Sequence, residues 1–242
     1  MLTKNRIPKK FYAVSIFLLG TITIFSIFTW YESSSKPSLD ELLESNSPSC
    51  QYPCWQNITP SVTSVEEGIN SISRLTFISG EDSINHYPQS SLYAFRFSPG
   101  NVGRIYYEKE TITSVYLSLL SMGSLSDALS ILGVPKWIVI DFDEGNLIYV
   151  AYLFFPDKGT VIRGISIYEE DEKFQLNTAS GSSEASIYPE MRLDGLWFYN
   201  DSSDDTASEI LQEKLSNSTE WTDSQEPIAN DWTSYGFYIR VP

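Results

Sequence analysis

Residues Ser124 to Phe155 read SLSDALSILGVPKWIVIDFDEGNLIYVAYLFF, and the change of period inside this stretch decides the fold. Leu125, Ala128, Leu129 and Leu132 fall on one stripe of a helix that opens at Ser124, carries Asp127 at its third position and closes at Gly133 and Pro135. Strand text follows at once: Trp137 to Phe142, then Leu147 to Phe155, with Glu144-Gly145-Asn146 as a hairpin turn. Leu147 to Phe155 is apolar on both faces, which predicts a central strand covered on both sides or one packed at an interface. Pro156-Asp157-Lys158-Gly159 then turns the chain into a third strand, Val161 to Tyr168.

The same pattern stands upstream. Thr63 to Glu66 has capping-box spacing, and Val65, Ile69, Ile72 and Leu75 draw one apolar stripe after it. Strands are expected at Leu92 to Phe97, Val102 to Tyr107 and Ile112 to Leu120, with Gly100-Asn101 as the first turn. A helix followed by an antiparallel meander, twice, predicts an α+β domain built from two helix-plus-meander repeats, each helix lying on sheet. Downstream, Glu169 to Ser186 reads as a loop. Ile187 to Tyr199, a capped helix from Thr206 and a terminal strand around Phe237 and Ile239 complete a domain spanning residues 50–242, with a possible split near Gly181.

Trp55-Gln56-Asn57-Ile58-Thr59-Pro60 leading into a capped helix, and Leu125 to Pro135 ending in Leu-Gly-Val-Pro before strands, resemble the layout of small extracytoplasmic α+β modules. These are the BamE-type outer-membrane assembly lipoproteins and the β-lactamase inhibitor protein. The resemblance covers Trp55 to Tyr168, departs at Ser61 where that layout prefers glycine, and implies a scaffold or binding role.

Before the domain, Phe11 to Trp30 runs without a charge, the length of a helix that spans a bilayer. Lys4, Arg6, Lys9 and Lys10 precede it and Glu32 follows it, so residues 1–10 are expected in the cytoplasm and the rest outside. A cleaved secretory signal is the alternative, although Phe28 to Glu32 lacks a small-x-small site. Residues 31–49, rich in Ser, Pro and acids, read as a stalk, with a short helix capped by Ser38 and carrying Leu39, Leu42 and Leu43. Cys50 and Cys54 follow. Outside the cell they are expected to pair, two free thiols being the alternative.

The chemistry is sparse. The chain carries 16 basic and 31 acidic residues, a formal charge of −15, which repels phosphate backbones and argues against a nucleic-acid partner. His86, the single histidine, reads as a loop residue, and no nucleophile elbow or phosphate-binding glycine motif is present. Zinc would need ligands beyond Cys50, Cys54 and His86. Asp141-Phe142-Asp143-Glu144-Gly145 begins like a calcium loop, but Tyr152 stands where the closing glutamate belongs. No catalytic residue, cofactor or metal is therefore assigned. Aromatic side chains remain: Trp197, Tyr199, Trp221 and Trp232 are the candidate binding residues, weighed against a role in the core. The expected function is a membrane-tethered, non-catalytic interaction module for an envelope or surface protein. The alternative is a surface protein that binds or hydrolyses glycans with an aromatic platform and paired carboxylates.

Overall fold

Two serines start the two main helices in the same way. In the computed structural model the Ser64 hydroxyl accepts from the Glu67 amide while the Ser64 amide donates to the Glu67 carboxylate, and Ser124 and Asp127 repeat the exchange. They open α2 (Val65–Ile72) and α3 (Leu125–Leu132), the latter closed by Gly133 at φ +80°. A shorter α1 (Leu39–Leu43) precedes them. The structure describes residues 37–43, 50, 52–78, 83–98, 100–120, 122–143, 148–167, 175–177, 182–200, 206–211 and 229–240. The expected membrane segment 11–30 and its basic tail lie outside them. Among the described residues no helix is long and apolar enough to cross a membrane.

Alternating residues build one antiparallel sheet of nine strands: β1 (Ile84–Tyr87), β2 (Leu92–Ser98), β3 (Asn101–Glu108), β4 (Thr111–Ser118), β5 (Trp137–Asp143), β6 (Ile148–Phe155), β7 (Thr160–Ile167), β10 (Arg192–Tyr199) and β11 (Ala229–Asp231). Their order is β1-β2-β3-β4-β10-β7-β6-β5-β11. The intervening β8 (Gln175–Asn177) and β9 (Ser182–Ile187) join β12 (Gly236–Arg240) in a three-stranded sheet.

Strands β4 and β10 pair in the middle of the sheet, and an isolated bridge stands at the start of each. Ser64 bridges to Thr111 at the start of β4, and Ser124 bridges to Arg192 at the start of β10. Each of these strands then carries a bulge, at Thr113 against β3 and at Asp194 against β7. The seam places Tyr116 opposite Trp197. In chain order α2 precedes β1 to β4, α3 precedes β5, β6 and β7, and β8 and β9 come between β7 and β10.

One sheet face packs under the helices. Ile105, Ile112, Val115, Leu117, Ile138, Leu153, Ile162, Leu196 and Phe198 meet Leu39, Leu42, Leu43, Ile72, Leu125, Ala128 and Leu132 in the main core. Strand β6 is central, as its two apolar faces predict: Tyr149, Ala151 and Leu153 enter this core, while Tyr152 and Phe154 enter a second one on the opposite face.

Several local readings change. The first capping box is Ser64 with Glu67 rather than Thr63 with Glu66, and the segment 169–186, read as a loop, holds β8 and most of β9. Helix α1, expected within a stalk, contributes three buried leucines to the core, so the compact unit begins at Pro37 rather than Cys50. Residues 84–87, read as a loop around His86, form edge strand β1; only one side pairs, so a strand can form there without an apolar alternation. The segment after Gly181 does not separate, because β10 completes the middle of the large sheet.

Candidate functional site

The sheet face turned away from α1, α2 and α3 is built by the other half of each alternation. On β10, Leu193, Leu196 and Phe198 point to the helices, whereas Trp197 and Tyr199 point to the second face. There they join Tyr106, Tyr116, Val139, Tyr152, Phe154 and Val161 beneath α4 (Ala207–Glu209) and the following Ile210 and Leu211. Thr206 and Glu209 cap α4 by a third reciprocal exchange. Trp197 and Tyr199, candidates for an exposed platform, are each 0% exposed and serve as core. The physical reason is that both faces of β10 are covered, as on β6. Trp221 lies outside the described residues. Trp232 follows β11, is half-buried, and packs edge-on to Tyr235 at 5.8 Å.

A charged pair sits among these rings. The bulge at Asp194 aims its carboxylate along the second face, where Arg163 of β7 holds it with two hydrogen bonds, Nε to Oδ1 and Nη2 to Oδ2, both 2.8 Å. The Arg163 guanidinium lies 5.5 Å from the Trp197 ring centroid, Trp197 lies 4.7 Å from Tyr116, and Arg104 of β3 stands 5.5 Å over Tyr116. Gly195 permits this stacking, since a Cβ there would come within 2.7 Å of Trp197 and 3.2 Å of Tyr116. Burial favours a neutral guanidine, but the hydrogen bonds and charge of Asp194 outweigh it and hold the Arg163 pKa above its ordinary value. Burial raises the phenols of Tyr106 and Tyr116 and pushes Tyr152 up to about 12. The cluster is therefore a fixed ion pair among protonated phenols, able to brace β7 against β10 and to donate hydrogen bonds.

The two halves of this face differ in cover. Beneath α4 the β10, β7 and β6 side chains are closed off. On β1, β2 and β3, Asn85, Tyr87, Arg96 and Arg104 are exposed and Leu92, Ala94 and Val102 half-buried. The register aligns them: Asn85 faces Ala94, Ala94 faces Arg104, and Arg104 faces Tyr116.

On the helix side, Cys50 and Cys54 are bonded, with Cα atoms 5.2 Å apart. The bond closes a loop whose side chains finish α1: Gln56, Trp55 and Tyr52 donate to the carbonyls of Glu41, Leu42 and Leu43 at 3.3, 3.0 and 2.8 Å. Trp55 also stacks on Phe95 and Phe198. His86 stacks on Tyr93 at 4.2 Å, and its Nε2 lies 2.8 Å from the Tyr107 hydroxyl. Asp141 and Asp143 belong to β5, and among the described residues no group of three or more His, Cys, Asp or Glu could hold a metal. Reading the sequence did not mark Arg104, Tyr116, Tyr152 or Arg163 as site residues, and the hairpin turn it suggests at Asp194-Gly195 is instead a bulge inside β10. The first four were legible as outward members of their strands, but the bulge that turns Asp194 onto this face breaks alternation and leaves no such signal.

No family model, no curated protein and no solved structure matches this chain.

Proposed function

We propose that the chain is a membrane-tethered, non-catalytic interaction module that works outside the cytoplasm. The observation that carries the binding role is the uncovered half of the second sheet face. There Tyr87 is 51% exposed on the same face as Arg96 and Arg104, and tyrosine and arginine are the side chains that protein interfaces favour. The uncharged run Phe11 to Trp30 with its one-sided basic flank supports the tether, and the Cys50–Cys54 disulfide supports an oxidising compartment. A tether holds the module in a thin layer beside the membrane, where even a weak partner meets a high effective concentration.

Protease added to intact cells, with any outer barrier opened, is expected to digest the domain while an internal cytoplasmic marker survives. A protected domain would refute the topology. The alternative, glycan binding, is favoured by one observation: His86, Tyr93 and Tyr107 form a row of rings across the β1 edge. Binding of purified full-length protein to envelope glycans, lost in Tyr93→Ala, would select that alternative.

A further inference from the structure

We propose that the open half of the second sheet face receives an acidic segment of a partner protein, gripped by Arg96 and Arg104; this rests on the reading of the chain as an interaction module. Arg96 pairs in register with Val102, and Ala94 with Arg104, so the two arginines are diagonal neighbours on adjacent strands and the same face. Both are exposed, and among the described residues neither is held in an ion pair. Two like charges so placed repel unless an anion lies between them. Arg104 is already posed: its guanidinium rests over the Tyr116 ring, 5.5 Å from the centroid. A guanidinium held by its neighbours loses less freedom when it forks onto a carboxylate.

The charge pattern selects the partner. On α1, α2 and α3 the charged residues are Asp40, Glu41, Glu66, Glu67 and Asp127, all acidic. On the open half of the other face, Glu108 at the far end of β3 is the one acid, and Glu209 on α4 already accepts from Thr206. An acidic segment therefore finds its attraction here and repulsion on the helix side. A long polyanion would also feel the charge of −15, whereas a short segment senses mainly what lies within a Debye length, about 8 Å at physiological salt. The half-buried Leu92 and Ala94 supply an apolar floor between Arg96 and the exposed Tyr87, and Val102 stands across from Arg96.

The test places a photocrosslinking amino acid at position 87 of the full-length chain in its native cells, with controls at Val62 and Val134 on the helix side. The expected result is an adduct at position 87 alone, whose partner peptide, read by mass spectrometry, carries several Asp or Glu close to the crosslink. Arg96→Glu with Arg104→Glu should cut its yield about tenfold or more, and Arg96→Lys with Arg104→Lys should retain most of it. An unchanged melting temperature in the lysine pair confirms folding independently of the reversed pair. An adduct insensitive to charge reversal, one with a peptide lacking acids, or one with a second copy of this chain overturns the acidic-partner inference and leaves the module reading standing. No protein adduct from any of the three positions overturns both.

Discussion

Replacing Asp194 by asparagine would keep the shape of the bulge and remove the charge that Arg163 answers. The guanidinium would stay protonated among Trp197, Tyr116 and Tyr152, because an arginine's ordinary pKa lies far above neutral pH even without the help of Asp194. The side chains of the pair are only 16% and 10% exposed, so water screens little of the loss. A buried pair broken from one side costs about 3 kcal/mol. For a domain of this size, where each kcal/mol moves the melting temperature roughly 2–4 °C, the expected drop is about 6–12 °C. Arg163→Met should cost a similar amount by stranding the carboxylate. The double variant Arg163→Met with Asp194→Leu should recover most of it, ending within about 1 kcal/mol of the starting protein, because neither desolvated charge remains. Denaturant unfolding followed by tryptophan fluorescence gives the four corners of the cycle, with Trp197 reporting from beside the pair. If the double variant instead loses the sum of the two single losses, the ion pair does not act as a unit.

Three further outcomes are expected. Leu132→Ala should destabilise by about 2–5 kcal/mol in the same denaturation assay, since this side chain closes the buried stripe of α3. Gly195→Ala should cost about 1–3 kcal/mol and shift the tryptophan emission, because the new methyl meets the rings of Trp197 and Tyr116. In an alkaline titration followed by phenolate absorbance, Tyr152 should ionise near pH 12, well after free tyrosine; its folded pKa is raised, so its contribution is complete below about pH 10 and is lost as pH climbs to the folded value, a loss that Tyr152→Phe should remove.

The local parts of the fold were legible because their causes are local. Ser-x-x-Asp spacing marks α3, the apolar stripe marks α2 although its capping box falls one residue later than Thr63 to Glu66, and hairpin turns at Gly100-Asn101 and before Gly159 deliver the meanders nearly residue for residue. What escaped was long-range. Nothing around Leu193 announces that this strand fills the gap between β4 and β7, because a strand apolar on both faces fits any central position. The same ambiguity made Trp197 and Tyr199 plausible as a platform, when α4 closes over them. Leu39, Leu42 and Leu43 lay in a composition that reads as linker, and their burial in the core goes with the hydrogen bonds that Tyr52, Trp55 and Gln56, at and just after the disulfide loop, donate to the carbonyls of that short helix. Of the site, the arginines were visible as letters, but their position on one face depends on registers set by neighbouring strands.

The late arrival of β10 also dictates an order of assembly. As the chain emerges from its N-terminal side, β1 to β4 and β5 to β7 can each zip up from nearby neighbours, leaving β4 and β7 as raw inner edges with their backbone groups unmatched. Only when Arg192 to Tyr199 has been made can the two half-sheets be sealed, and until then each offers a sticky template to any other unfinished copy. A nascent chain halted before Arg192 would thus be left not with most of a domain but with two open ends, and a chaperone guarding this protein has its work defined by that interval.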